Sequence, residues 1–218
     1  MSLNNTPSSE RTHIGIFGRR NAGKSSLINA LTGQNLAIVS DVRGTTTDPV
    51  FKAMELLPLG PVVMIDTPGL DDTGELGKLR IQKAYQVLNK TDIAVLVVDG
   101  TTGITPQDNA ILTRIQDKKI PLLLVLNKAD LVSEHVHQEM IVSTHLKYKI
   151  PLENILWTNT TEHLHIHELK ERLGSLVPSE DSSIFIVRDL VKPGDFVVLV
   201  VPIDSAAPKG RLILPQQQ

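Results

Sequence analysis

The sequence predicts an α/β fold: a mostly parallel six-stranded sheet with helices on both faces. Three observations carry the prediction. Apolar runs of strand length recur as HIGIF (13–17), VVMI (62–65), IAVLVV (93–98) and LLLVL (122–126), without the polar alternation of a half-exposed strand, so both faces of each should be covered. Amphipathic segments of helical period separate them, the order expected of strand–helix–strand units. Glycine or polar residues follow the apolar strands as Gly18, Asp66, Asp99, Asn127 and Thr158, and sheets of this kind bind ligands at the carboxyl ends of their strands.

The elements can be taken in order. Residues 1–11 are polar and read as a flexible lead. After HIGIF, Lys24 to Leu31 has helical spacing, with Leu27, Ile28 and Leu31 on one face. VFKAMELL (50–57) alternates and reads as a strand with one more exposed face. VVMI ends at Asp66, and Lys78 to Asn89 is an amphipathic helix with Leu79, Ala84, Val87 and Leu88 inward. IAVLVV ends at Asp99, and Gln107 to Gln116 is a helix with Ile111, Leu112 and Ile115 inward. After LLLVL, Ser133 is placed to cap a helix reaching Lys147. Ile155 to Trp157 is a short strand, and Ile166 to Leu176 the last helix. Beyond Pro178 the texture changes: SSIFIV and DFVVLVV are β-rich and separated by the turn signal KPGD. Three parts are expected: the lead 1–11, a main domain 12–177, and 178–218 as linker and start of a second, truncated domain.

Bulk composition excludes some classes. There are no cysteines, hence no disulfide, cysteine-ligated metal or iron–sulfur ligation within this chain, a pattern that suits a reducing cytoplasm. Net charge is −2, giving no overall basic field for nucleic acid. No apolar run is long enough to span a bilayer.

Three motifs point to one chemistry. Gly18-Arg19-Arg20-Asn21-Ala22-Gly23-Lys24-Ser25, continued by Ser26, matches GxxxxGKS between a strand and a helix. The glycines turn backbone N–H groups of Asn21, Ala22 and their neighbours toward phosphates at the helix's positive end. Lys24 should reach the β- and γ-phosphates and Ser25 should ligate Mg²⁺. Asn127-Lys128-Ala129-Asp130 follows a strand. Asp130 can accept hydrogen bonds from guanine N1–H and the 2-amino group; adenine lacks that pair, a mismatch worth on the order of 10⁴-fold. Asn127 would tie this loop to the phosphate loop, and the Lys128 stem would lie over the base. Asp66-Thr67-Pro68-Gly69 follows VVMI: Asp66 would hold the magnesium shell through water, and the Gly69 N–H would contact the γ-phosphate.

With these residues in view, the chain resembles the translation-factor-related class of small GTPases over residues 12–177. The resemblance implies a Ras-like P-loop fold with GTP or GDP and Mg²⁺. SDVRGTTTDP (40–49) lacks an apolar pattern and reads as the loop whose threonine closes over Mg²⁺ and the γ-phosphate: Thr46, with Thr45 the competitor. NAGKSSLINAL together with GTTTD is similar to the potassium-activated GTPases of tRNA modification and ribosome assembly. That likeness implies a K⁺ ligand at Asn21, whose alternative role is local loop hydrogen bonding. Leu70 stands where Ras-like enzymes carry a water-orienting glutamine, so intrinsic hydrolysis should be slow; Glu75 is a candidate water positioner, beside Asp71 and Asp72.

Some features depart from the pattern. Thr158-Asn159-Thr160 occupies the third base-side loop, where Ser-Ala is usual. HLHIH (163–167) is expected to be a solvated face at a helix start, since positions two apart on a helix do not share a face; His135 and His137 are read the same way. Arg19 and Arg20 are expected to face solvent or a partner. The tail LVKPGDFVVLVVPIDSAAPKGRLILPQ resembles the segment after the GTPase domain in the F-type maturase family of FeFe-hydrogenase. That resemblance implies a dimerisation domain, hydrogenase-maturation proteins and apo-hydrogenase as partners, and a missing iron–sulfur domain. Two other readings stay open: a GTPase of tRNA modification or ribosome assembly, and a nucleotide-gated scaffold with little turnover.

Overall fold

The computed structural model describes residues 11–33, 49–70 and 74–177, for 74–78 the backbone alone. These belong to the first of two units, Met1–Val177 and Pro178–Gln218. The predicted lead 1–10, Thr45 and Thr46, Asp71 and Asp72, the Glu75 side chain and the tail from Pro178 lie outside the described residues. Arg11, counted in the lead, is buried, and its guanidinium donates to Met54 O at 3.3 Å.

Six strands form one sheet: β1 (Thr12–Phe17), β2 (Val50–Leu56), β3 (Gly60–Asp66), β4 (Ile93–Asp99), β5 (Leu122–Asn127) and β6 (Ile155–Thr158). The spatial order is β2-β3-β1-β4-β5-β6, with β2 antiparallel to β3 and every other pairing parallel. Five helices accompany it: α1 (Lys24–Thr32), α2 (Gly74–Leu88), α3 (Pro106–Asp117), α4 (Glu134–Tyr148) and α5 (Ile166–Leu176).

The unbroken apolar strands have the cause that their composition suggests. Ile14, Ile16, Ile93, Val95, Val97, Leu123 and Val125 point to the face covered by α1 and α5. Phe17, Ala94, Leu96, Val98, Leu124 and Leu126 point to the face covered by α2, α3 and α4. With a helical layer on each side, both alternating sets must be apolar. Edge strand β2 is covered less: Val50 and Phe51 remain exposed.

Three expectations need correction. α2 starts at Gly74 rather than Lys78, and its buried stripe runs through Arg80, Ala84, Val87 and Leu88, leaving Leu79 42% exposed. Leu79 is one residue, about 100° of helical rotation, away from Arg80. Ser133 stands at the α4 N-cap position, but its hydroxyl makes no cap bond; its carbonyl accepts from the N–H groups of Val136 and His137 instead.

Parallel register brings the chemical residues to one rim. Ile16 pairs with Asp66, Asp99 with Asn127, and Asn127 with Thr158. The loops leaving β1, β3, β4, β5 and β6 therefore start at one edge of the sheet.

Candidate active site

The loop from β1 to α1 is shaped by backbone conformations that need glycine. Gly18 has φ 144°, and a Cβ there would lie 2.2 Å from Val97 O on the neighbouring strand. Gly23 has φ 98°, and a Cβ there would meet Asn127 Nδ2 at 2.1 Å. Between them Asn21 is left-handed (φ 61°) and exposed. Among the described residues its side-chain amide has no hydrogen-bond partner. Ala22 is buried, and Ser26 is exposed on the first turn of α1. The Lys24 side chain folds back over this loop: its ammonium donates to Gly18 O at 3.0 Å and Arg19 O at 2.8 Å.

Opposite the start of α1 stands the end of β3. Ser25 Oγ donates to Asp66 Oδ2 at 3.1 Å, while Asp66 Oδ1 is buried without a hydrogen-bond partner among the described residues. Burial pushes the Asp66 carboxyl above its ordinary value of 3.8, a rise only partly offset by the Lys24 charge, the Ser25 hydrogen bond and the Lys52 charge. A hydroxyl beside a carboxylate with an unmatched buried oxygen is an oxygen donor set suited to Mg²⁺, which keeps its own waters and takes few protein ligands. Thr67 was not singled out by sequence. Its hydroxyl donates to Ile16 O at 2.6 Å and its N–H to the same oxygen at 3.3 Å, which pins the start of the DTPG segment to β1. Gly69 abuts the phosphate loop: a Cβ there would meet Arg20 N at 2.8 Å. Leu70 is buried in the core under α2 and α3.

The base side is organised by Asn127, which is 2% exposed. Its Nδ2 donates to Ala22 O at 3.0 Å, and its Oδ1 accepts from Thr158 Oγ1 at 3.2 Å. One amide thus joins the phosphate loop, the NKAD loop and the third loop. Lys128 is left-handed (φ 66°), and its ammonium meets Asp99 Oδ2 at 2.6 Å. Ala129–Leu131 form a single 3-10 turn that presents Asp130 to solvent. Thr158 and Asn159 are buried, and both side chains are used internally: Asn159 Oδ1 accepts from the N–H groups of Thr161 and Glu162. Trp157 sits in the wall below, its ring stacked on His137 at 4.1 Å between centroids.

Arg19, expected to face solvent or a partner, is half-buried. Its Nη2 donates to Thr102 Oγ1 at 2.7 Å, and its Nε lies 3.4 Å from Asp108 Oδ2. Asp108 is fully buried and completes a capping box with Thr105 at the start of α3. Thr105-Pro106-Gln107-Asp108 carries the T-x-x-D signature of such a box, so that signal was present in the sequence. His163, His165 and His167 are exposed, and His165 Nδ1 lies 3.0 Å from Trp157 O. Among the described residues no group of three or more His, Cys, Asp or Glu side chains could hold a metal, and no helix is long and apolar enough to cross a membrane.

Comparison with known proteins agrees with this arrangement. The family model of the 50S ribosome-binding GTPase matches residues 13–128, and that of the hydrogen maturase F dimerization domain matches residues 186–218. GTPase Der of Kosmotoga olearia is 33% identical over 167 residues, covering 73% of this chain and 37% of that protein. The tRNA modification GTPase MnmE of Desulforamulus reducens is 33% identical over 163 residues, covering 74% and 34%. Aquifex aeolicus Era, crystallised as a variant with GDP and aluminium fluoride, superposes with a TM-score of 0.68 at 26% identity, covering 76% of this chain and 56% of that one. The chain thus spans about a third of the length of these curated relatives. A match over more than half of the chain, on a Ras-like sheet whose loops converge on a P-loop, places the protein in the 50S ribosome-binding GTPase family of P-loop GTP hydrolases.

Proposed function

We propose that the chain binds GTP with magnesium and hydrolyses it slowly to GDP and phosphate, stimulated by potassium, as the switch of a cytoplasmic protein that matures FeFe-hydrogenase. The observation that carries the nucleotide reading is the Asn127 bond to Ala22 O, because it joins the loop that would read the base to the loop that would cradle the phosphates. In this reading the backbone N–H groups from Asn21 to Ser26 receive the phosphate oxygens at the start of α1. Lys24 exchanges its two loop carbonyls for the β- and γ-phosphates, and Asp130 accepts from the guanine edge. Ser25 and Asp66, joined by Thr46, would hold Mg²⁺, which when bound neutralises charge on the phosphate oxygens. Gly69, packed against Arg20, would sense the γ-phosphate.

Leu70 is apolar and buried, so it cannot align the attacking water; Glu75 is the candidate for that role. Asn21, exposed and without a partner among the described residues, suits a monovalent cation whose charge would offset that developing on the transferred phosphoryl group. The match of residues 186–218 to the hydrogen maturase F dimerization domain supports the maturation role. It also supports self-association; other maturation proteins and apo-hydrogenase are the further partners in this reading. The name of the MnmE relative and the 50S ribosome-binding family model favour a second reading, tRNA modification or ribosome assembly.

GTP hydrolysis in KCl against NaCl is the test. A faster rate in KCl is expected; equal rates would remove the potassium step. Binding without turnover in either salt would leave a nucleotide-gated scaffold. Capture of hydrogenase-maturation proteins rather than RNA separates the two cellular readings.

A further inference from the structure

We propose that Asp99 is a positioning residue for base recognition: its carboxylate holds the Lys128 ammonium so that the lysine stem forms one wall of the purine slot. The inference rests on the nucleotide reading above and adds a residue outside the three motifs.

The geometry is specific. Asp99 Oδ2 takes the Lys128 ammonium at 2.6 Å. Asp99 Oδ1 accepts from Thr101 N at 3.0 Å and Thr101 Oγ1 at 2.6 Å. Both carboxylate oxygens are therefore committed, and the carboxylate cannot turn to read a base edge itself. Lys128 leaves β5 with a left-handed backbone and enters the 3-10 turn at once, so the direction of its stem is set at both ends: by the backbone at Cα and by Asp99 at Nζ. A lysine side chain loses much rotamer freedom when it is laid flat on a ring. An ion pair formed beforehand has already removed that freedom, and affinity benefits.

Asp99 is itself held from two sides. Gly100 N donates to Asn127 O, tying the turn to the base-side strand, and Thr102 N and Gly103 N donate to Asp99 O. Thr102 Oγ1 accepts from Arg19 of the phosphate loop. Arg19 in turn lies against Asp108 at the α3 cap. The segment between β4 and α3 is thus a strut between the phosphate loop and Lys128, with Asp99 at the end nearest the base.

The test measures GDP affinity of the full chain for the native protein, D99A, D99N, K128A and D99A/K128A. K128A should weaken binding about 30-fold and D99A about 5- to 10-fold, with the double variant no weaker than K128A, because without the lysine there is nothing left to position. Inosine diphosphate lacks the 2-amino group; D99A should weaken it by the same factor as GDP, since the stem covers the ring face and not its edge. The kcat at saturating GTP should be unchanged. D99N should fall between native and D99A, retaining the Thr101 contacts while losing the charge. The proposal is overturned by multiplying single losses in the double variant, by a loss confined to GDP, or by a native-like D99A. A defective D99A beside a native D99N would also overturn it, since the effect would then be turn packing. If K128A itself binds like native, the base-site reading fails before any question about Asp99 arises.

Discussion

Replacing Asn127 with alanine removes the side chain that joins three loops. Two buried hydrogen bonds go, to Ala22 O and from Thr158 Oγ1, each worth about 1 kcal/mol net. The partners are left buried without a substitute, which adds on the order of 1 kcal/mol or more. The sum is about 3 kcal/mol, or roughly a 100-fold shift in the folding equilibrium. At a urea slope of about 2 kcal/mol/M the midpoint should drop by about 1.5 M. Urea unfolding of the nucleotide-free full chain, followed by circular dichroism, reads this directly. Asn127→Asp is the sharper variant. It has the same shape and keeps an acceptor for Thr158, but it turns a second acceptor toward Ala22 O and buries a charge. It should therefore be at least as damaging as alanine, and GDP affinity should fall in both. A midpoint shift below about 0.3 M for alanine, or an aspartate variant indistinguishable from native, would rule out this role for Asn127.

Other expectations are simpler. Asp130→Asn should move the preference from GTP toward xanthosine triphosphate in competition binding; an unchanged preference would put the base site elsewhere. Asn21→Ala should abolish potassium stimulation of turnover while leaving GDP binding largely intact, and persistent stimulation would assign the cation to other ligands. Burial would raise the Asp99 carboxyl, but hydrogen bonds from Lys128 and Thr101 outweigh it and hold the group below its ordinary value of 3.8. A carboxyl lowered in the fold contributes stability above its unfolded value, lost as pH falls through the folded one. Acid titration from pH 5 downward should therefore cost native protein more stability than Asp99→Asn, so that their curves approach one another; parallel curves would deny the linkage.

The sheet was legible because its strands are buried on both faces and so read as continuous apolar runs. Leu123, Leu124, Val125 and Leu126 could hardly be anything else. The helix α2 was harder, because the sequence offers two registers for one apolar stripe. Leu79 belongs to the more hydrophobic choice, yet packing selected the stripe through Arg80, whose long stem can cover apolar surface. Among site residues, those fixed by backbone and phosphate chemistry announce themselves: Gly18, Gly23, Lys24 and Asp66 follow from what a phosphate cradle requires. The connections between motifs do not. That Asn127 ties its loop to the phosphate loop was expected from the NKAD motif, but Arg19 was expected to face solvent or a partner, as arginines usually do. Its partner Asp108 lies far along the chain, and only the fold brings the α3 cap beneath the phosphate loop. Thr67 is similar: nothing local says that its hydroxyl will find a carbonyl on β1.

Trp157 is the single tryptophan of the chain. It lies against Gly100, where a Cβ would fall 2.2 Å from its ring, stacks on His137, and directly precedes Thr158 of the Asn127 cluster. This chain therefore contains one indole emitter, built into the wall behind the Lys128 turn and needing no label. Occupancy of the neighbouring slot should alter its emission, so ligand arrival can be followed optically in unmodified protein.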